Sequence, residues 1–239
     1  MNKNLSKLGL FALTALAAAC SENKQDTSDV SAEAAATDVV AQVLTQDASK
    51  ANTDNAADTA VQSGVDYHSF ANMDVYKVEH VNLDLTVNFD RKEISGSATL
   101  DINKLDADSK DPLILDSRAL SVSKVEAISK EGNRELSFTM GKEDSHLGSP
   151  INIEVGDATK VRISYKTSPQ ASGVQWLTPE QTAGKKQPFL FTQAQAIHAR
   201  SFVPLQDSPK ARITYSATIH TPKDLRAVMS ANNDPDSQV

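Results

Sequence analysis

The feature that most limits what this chain can fold into is a run of strict alternation. Val81, Leu83, Leu85, Val87 and Phe89 alternate with Asn82, Asp84, Thr86, Asn88 and Asp90. Successive side chains of a strand point to opposite faces, so a period of two predicts a half-buried β-strand. Arg91, Lys92 and Glu93 make a polar turn, and Ile94, Gly96, Ala98, Leu100 and Ile102 resume the pattern as the hairpin partner. Short strands are also predicted at 113–115, 122–128, 136–140, 151–155, 161–165 and 211–219. Turn signals separate them: Asp111-Pro112, Glu131-Gly132-Asn133, Gly148-Ser149-Pro150 and Gly156-Asp157. No long stretch repeats at helical spacing, and no internal repeat is visible. The expected fold class is all-β, an antiparallel sandwich or barrel-like sheet.

That pattern begins near Asp66, and the chain before it differs in kind. Residues 1–20 open with Lys3 and Lys7 and continue as an apolar run from Leu8 to Ala19. A basic start and a short apolar stretch ending in small residues are expected for a secretory signal, and the run is short for a membrane span. The small residues lead directly to Cys20, the only cysteine. The AAAC string resembles a bacterial lipoprotein signal, which implies lipidation of Cys20 and a membrane anchor without a spanning helix. Ser21 after it, rather than Asp, points to the outer membrane facing the periplasm. The plainer alternative is an ordinary signal cleaved near Ala19. Residues 21–65 hold eight acids, two lysines and no aromatic residue. Too little apolar surface is available there to offset the entropy of ordering, so a disordered tether is expected.

Charge sharpens the reading of what remains. The whole chain carries a formal net charge of −7, most of it in the tether. The mildly acidic 66–239 region speaks against a broad nucleic-acid-binding surface. One cysteine also excludes an intrachain disulfide. A core is therefore needed for stability, and about 170 residues suffice to build one.

Residues 173–209 leave the generic pattern: GVQWLTPEQTAGKKQPFLFTQAQAIHARSFVPLQDSP. This stretch holds Trp176, the only tryptophan, the basic pair Lys185 and Lys186, and the string TQAQAIHAR with Gln193 and Gln195. Three blocks in order, QWLTPEQT, Gln-x-Gln-Ala and VPLQDSP, resemble the N-terminal β-domain of the M1 zinc aminopeptidases, the branch that includes leukotriene A(4) hydrolase. The resemblance runs from about Asp66 to about Ala231 and includes LILDSRAL (113–120), GSPINIEV (148–155) and PKDLRAVMSA (222–231). It implies a saddle-like β-domain that helps an intact enzyme recognise the N-terminus of a peptide substrate, with zinc held in a separate C-terminal catalytic domain.

The family's zinc-binding string HExxH and the GxMEN strand beside its zinc site are missing from this chain. His68, His80, His146, His198 and His220 include no pair four residues apart. No GxSxG, GxGxxG or P-loop string occurs either, so the chain alone is expected to be inactive and to bind no metal. It stops at Val239 soon after the last strand-like segment, and the expectation is a fragment or a truncated gene.

The resemblance maps the family's substrate-contacting pair to Gln195 and Gln193, with Ala194 between them. A glutamine carbonyl accepts a hydrogen bond from an α-ammonium and its NH₂ donates to a peptide carbonyl. Spacing of i, i+2 on a strand would put both amides on one face and Ala194 on the other. Taken without the flanking blocks, both are ordinary surface strand amides. Trp176 is expected as a packing anchor, His198 as a structural hydrogen-bonding group, Asp207 as turn chemistry that pairs with Arg200, and Lys185 and Lys186 as a solvated turn. The second functional reading is a non-catalytic β-sandwich lipoprotein that binds peptides or an envelope protein.

Overall fold

The alternating run folds as the expected half-buried strand. The computed structural model describes residues 66–233; the expected signal, Cys20 and the 21–65 tether lie outside the described residues. The run becomes strand β1, Tyr76–Asn88, with Val81, Leu83, Leu85 and Val87 buried. β1 starts upstream of the alternation because of a β-bulge. Its register against β2 slips between Val78 and His80, so Tyr76 and Val78 also point inward. The buried Gln206 side chain holds this segment from outside the ladder. Its Oε1 accepts from the Val78 N–H at 2.9 Å and its Nε2 donates to the Tyr76 carbonyl at 2.8 Å. One amide side chain thus satisfies two buried main-chain groups.

β2, Glu93–Lys104, returns antiparallel after a turn in which the Asn88 Oδ1 accepts from the Arg91 N–H at 2.8 Å. With β4 (Ser121–Ser129), β5 (Gly132–Glu135), β8 (Lys160–Lys166) and β11 (Thr214–His220), these strands form a six-stranded sheet in the order β11-β1-β2-β8-β4-β5. Every pairing in it is antiparallel except β1 with β11. A parallel pair needs a long crossover, and here most of the domain supplies it. β11 begins at Thr214 rather than Ala211, because the Ala211 N–H is used in a turn, donating to the Ser208 carbonyl at 3.0 Å.

β3 (Leu113–Ser117), β7 (Ser149–Ile153) and β6 (Phe138–Met140) form a second sheet in the order β3-β7-β6. The strand expected over 136–140 is shortened to β6, and β5 forms upstream of it, over residues expected to turn at Glu131-Gly132-Asn133. β5 belongs to the first sheet and β6 to the second, and the chain changes sheets at Leu136. Its N–H still donates to the Val125 carbonyl of β4 at 2.9 Å, whereas the next carbonyl, that of Ser137, accepts from Glu154 at 3.0 Å. The buried side chains of both sheets, Leu83, Leu100 and Ile163 with Leu113, Leu115 and Ile151 among them, make one cluster. At about 1.5–3 kcal/mol for each fully buried branched side chain, this cluster drives folding more than any polar contact.

A separate hairpin of β9 (Val174–Leu177) and β10 (Phe189–Thr192) leans on this body. Trp176 anchors it as expected: half-buried, its ring meets Phe89 edge-on with centroids 5.4 Å apart and planes at 88°. The described helical residues are two 3₁₀ turns, Pro179–Gln181 and Ala199–Ser201, and among the described residues no helix is long and apolar enough to cross a membrane.

A tight backbone approach lies at Gly96, opposite Leu85, matched only at Gly148 among the described glycines. The Gly96 φ is +149°, and a Cβ would sit 2.1 Å from the Asp84 carbonyl oxygen. Gly96→Ala is expected to cost about 1–3 kcal/mol, read as a lower urea midpoint at unchanged slope. An unchanged midpoint would show that the strand absorbs the side chain.

Candidate functional site

The second sheet carries a buried acid where its apolar run would favour another aliphatic residue. Asp116, near the end of β3, is fully buried, and so is Arg200 in the 3₁₀ turn. Neither charge is affordable alone in such a place, and both are saturated with partners. The Arg200 Nε donates to the Asp207 Oδ2 at 3.0 Å, Nη1 to the Leu147 carbonyl at 2.9 Å, and Nη2 to the carbonyls of His68 and Asp207 at 2.7 and 2.9 Å. The Asp116 Oδ1 lies 3.4 Å from Arg200 Nη1. Asp116 also accepts from the Ser69 hydroxyl at 2.5 Å, the Phe70 N–H at 2.8 Å and the Asp207 N–H at 3.0 Å. Burial pushes the Asp116 carboxyl above its ordinary value, while Ser69, Phe70, Arg200 and Asp207 pull it back. The expected Arg200–Asp207 pair is present, and it ties the 199–209 loop to β3, to residues 68–70 and to Leu147.

This hub carries the turn that presents the glutamines. The β9–β10 ladder ends with the Gln193 N–H donating to the Gly173 carbonyl at 2.9 Å. There the strand stops, because β9 has no residue left to pair. Gln193 and Gln195 therefore do not share a strand face, as their spacing predicts; they lie in a turn that follows β10. The Gln193 Oε1 accepts from the Gln195 N–H at 3.0 Å, and the His198 N–H closes the turn on the Ala194 carbonyl at 2.9 Å. The Gln195–Ala196 peptide is cis. Ala194 is half-buried and both glutamines are exposed. One amide is thus spent internally, fixing the other's main chain. The Gln195 side-chain amide has no hydrogen-bond partner among the described residues.

Below the turn, His198 makes the structural contacts expected of it. Its Nδ1 lies 2.9 Å from the Ser172 Oγ and 3.2 Å from the Arg118 Nη1. Arg118 is fixed in turn, its N–H donating to the Arg200 carbonyl at 2.8 Å and its Nη2 to the His146 carbonyl. Burial pushes the Arg118 guanidinium down from its ordinary value, and the Arg200 charge adds to this. The Ser201 hydroxyl accepts from the Gly173 N–H at 2.9 Å and donates to the His198 carbonyl at 2.7 Å. On the other side, the Tyr165 hydroxyl donates to the Phe202 carbonyl at 2.8 Å, and burial pushes its pKa far up.

Beside the glutamines, Phe189 and Phe191 of β10 stay 54% and 43% exposed, their centroids 6.2 Å apart. A recess of about 540 Å³ reaches Leu177, Pro188, Phe189 and Leu225, but neither Gln193 nor Gln195 lines it. Lys185 and Lys186 stand in the exposed turn between β9 and β10. Among the described residues no three His, Cys, Asp or Glu side chains gather to hold a metal ion, so no zinc chemistry is derived from them. Sequence reasoning missed Asp116, Arg118, Ser172 and Gln206. The acid inside the apolar string LILDS was the available signal for Asp116; Arg118 and Gln206 lie within the family blocks LILDSRAL and VPLQDSP, and Ser172 carries no signal.

Comparison with known proteins places this geometry among relatives. A profile of the peptidase M1 N-terminal domain matches residues 76–238. Leukotriene A-4 hydrolase of Xenopus laevis is 39% identical over 175 residues, covering 71% of this chain and 28% of that protein. Leucine aminopeptidase 2 of Pyricularia oryzae is 36% identical, covering 68% and 27%. Among solved structures, leukotriene A4 hydrolase from Saccharomyces cerevisiae superposes with a TM-score of 0.61 at 30% identity, covering 69% of this chain and 26% of that one. The chain thus spans roughly a quarter of the length of the relatives it matches.

The hub makes a sharp prediction. Arg200→Met leaves Asp116 and Asp207 facing each other without a counter-charge and is expected to cost about 3–5 kcal/mol of folding stability, measured by urea unfolding. A loss below about 1 kcal/mol, the worth of a surface pair, would show the hub to be dispensable.

Proposed function

The chain belongs to the peptidase M1 N-terminal domain family, and from that premise we propose that it is the substrate-recognition part of a zinc aminopeptidase that removes N-terminal residues from peptides. The observation that carries this reading is the state of Gln195. Its amide is exposed and unpartnered, on a turn built from a buried network rather than on a loose loop. A carbonyl held there accepts from a substrate α-ammonium, and the adjacent NH₂ donates to the first peptide carbonyl. Gln193 contributes by fixing the Gln195 main chain, and Ala194 by closing the turn. Being neutral, the pair orients a substrate without competing for a metal.

Family membership implies zinc in the intact enzyme. We assign the metal, and the cleavage chemistry with it, to a catalytic domain joined to this one, as the family resemblance implies. The exposed Phe189 and Phe191 beside the glutamines are consistent with a surface that a second domain covers. We further place the enzyme in the bacterial cell envelope, exported by residues 1–20 and held at the outer membrane by lipid on Cys20, with residues 21–65 as the tether.

Two measurements test these statements. In the longer polypeptide that joins this chain to a zinc-bearing domain, Gln195→Ala is expected to lower kcat/KM toward aminoacyl amides about ten- to a hundredfold, the loss of one hydrogen bond to a charged group. Zinc content stays the same. An unchanged kcat/KM removes the recognition role. In cells fed labelled palmitate, the full chain is expected to take up label and Cys20→Ser to take up none; equal labelling of the two contradicts the anchor.

A further inference from the structure

Three segments distant in sequence converge on one ring atom. Arg118 follows β3, Ser172 precedes β9, and His198 closes the turn that carries Gln195; the Arg118 Nη1 and the Ser172 Oγ lie 3.2 and 2.9 Å from the His198 Nδ1, and 3.2 Å from each other. A guanidinium can only donate, so a hydrogen bond from Arg118 to this ring requires Nδ1 to accept and the ring hydrogen to sit on Nε2. The main chain of the same residue is held from two sides. Its N–H donates to the Ala194 carbonyl, and its carbonyl accepts from the Ser201 hydroxyl and N–H at 2.7 and 3.1 Å. Gly173 presses close enough that a Cβ there would come within 2.7 Å of the His198 carbonyl oxygen. His198 is therefore the post of the Gln195 turn, and Arg118 ties its ring to the buried Arg200, through its own main-chain N–H, and to the exposed turn at His146.

We propose that Arg118 is a positioning residue for substrate recognition, setting the placement of Gln195 by donating to the His198 ring. This rests on the reading of Gln195 as the group that contacts substrate. Stability alone accounts poorly for Arg118. Its Nε is buried without a partner, which costs free energy, and of the nearby charges Arg200 repels it while Asp207 attracts it. What the arrangement secures is the ring orientation under the turn. A recognition group displaced by even a fraction of an ångström loses much of its effect, so a cost in stability is offset in the bound state.

The test uses Arg118→Met, which keeps the stem and main chain and removes the donors, with Arg118→Lys as the conservative variant and Ser172→Ala as a milder one at an exposed site. In the full 239-residue chain, ring ¹⁵N NMR is expected to show the His198 Nδ1 as an acceptor without hydrogen. In Arg118→Met the two tautomers mix and the Gln195 amide resonance shifts. In the longer zinc-bearing polypeptide, Arg118→Met is expected to raise KM for leucine amide about three- to tenfold, the loss of one ordinary hydrogen bond, with kcat within about twofold. Arg118→Lys recovers part of that and Ser172→Ala shows a smaller rise. If Arg118→Met does not fold, the Lys and Ala variants carry the same readouts. The proposal is overturned by a ring hydrogen on Nδ1, by a Gln195 amide that does not move, or by an unchanged KM where Gln195→Ala raises it. If Gln195→Ala leaves kcat/KM untouched while its amide still responds to Arg118, the recognition reading fails and this inference falls with it. The two failures are thus told apart.

Discussion

The buried Arg200 with its two carboxylates is the interaction on which the rest of the site depends. A guanidinium taken out of water costs several kcal/mol unless every donor is met. Here Nε and both Nη atoms are met, by Asp207, Leu147 and His68, while Asp116 stands close on the other side. Such a cluster is weak evidence for stability, because a well-packed apolar replacement often does as well. Its consequence is geometric. The directional bonds of one side chain set the relative positions of β3, residues 68–70, Leu147 and the loop from Ala199 to Asp207. Apolar packing alone is less exacting about such placement.

Two kinds of physics therefore divide the domain. The cluster shared by the six- and three-stranded sheets supplies the driving force, and it consists of aliphatic residues on alternating positions. The proposed binding groups lie elsewhere, on a turn beyond a two-stranded hairpin, as is common where loops ride on a rigid scaffold. Side-chain hydrogen bonds bridge the two. Gln206 stands in for a peptide group beside the β1 bulge, Tyr165 reaches from β8 to the Phe202 carbonyl, and Ser201 links Gly173 to His198. Each fixes part of the loop that begins at Gln193 to a strand.

How much of this was legible in the sequence follows from the range of the interactions. Alternation over residues 81–89 and 94–102 revealed β1, β2 and the all-β class, because period two is a local property. The bulge at Val78 and His80 hid the first part of β1, since one extra residue inverts the parity of the pattern. The sheet change at Leu136 left no trace either: the polar run Gly132–Glu135 reads as a turn with no apolar alternation to mark β5, and only the Val125 and Glu154 partners show where the chain leaves one sheet for the other. The parallel docking of β11 is a long-range choice that its own residues do not encode. At the candidate site, the family blocks singled out Gln193 and Gln195, but i, i+2 spacing suggested a strand face where the ladder had already run out. The Arg200–Asp207 pair was readable seven positions apart; its partner Asp116 is 91 residues from Asp207, and Arg118 is 80 from His198.

The central claim is that the Gln195 turn is held by this chain's own buried network, before any second domain or substrate arrives. Native-state hydrogen exchange on the full chain tests it most directly. The amide of Asp207, bonded to Asp116, and that of His198, bonded to Ala194, are the ones to follow against Leu100 in the centre of β2. The account predicts that all three exchange only through global unfolding and share one opening free energy. Exchange of Asp207 and His198 at surface-loop rates, with Leu100 protected, would contradict it.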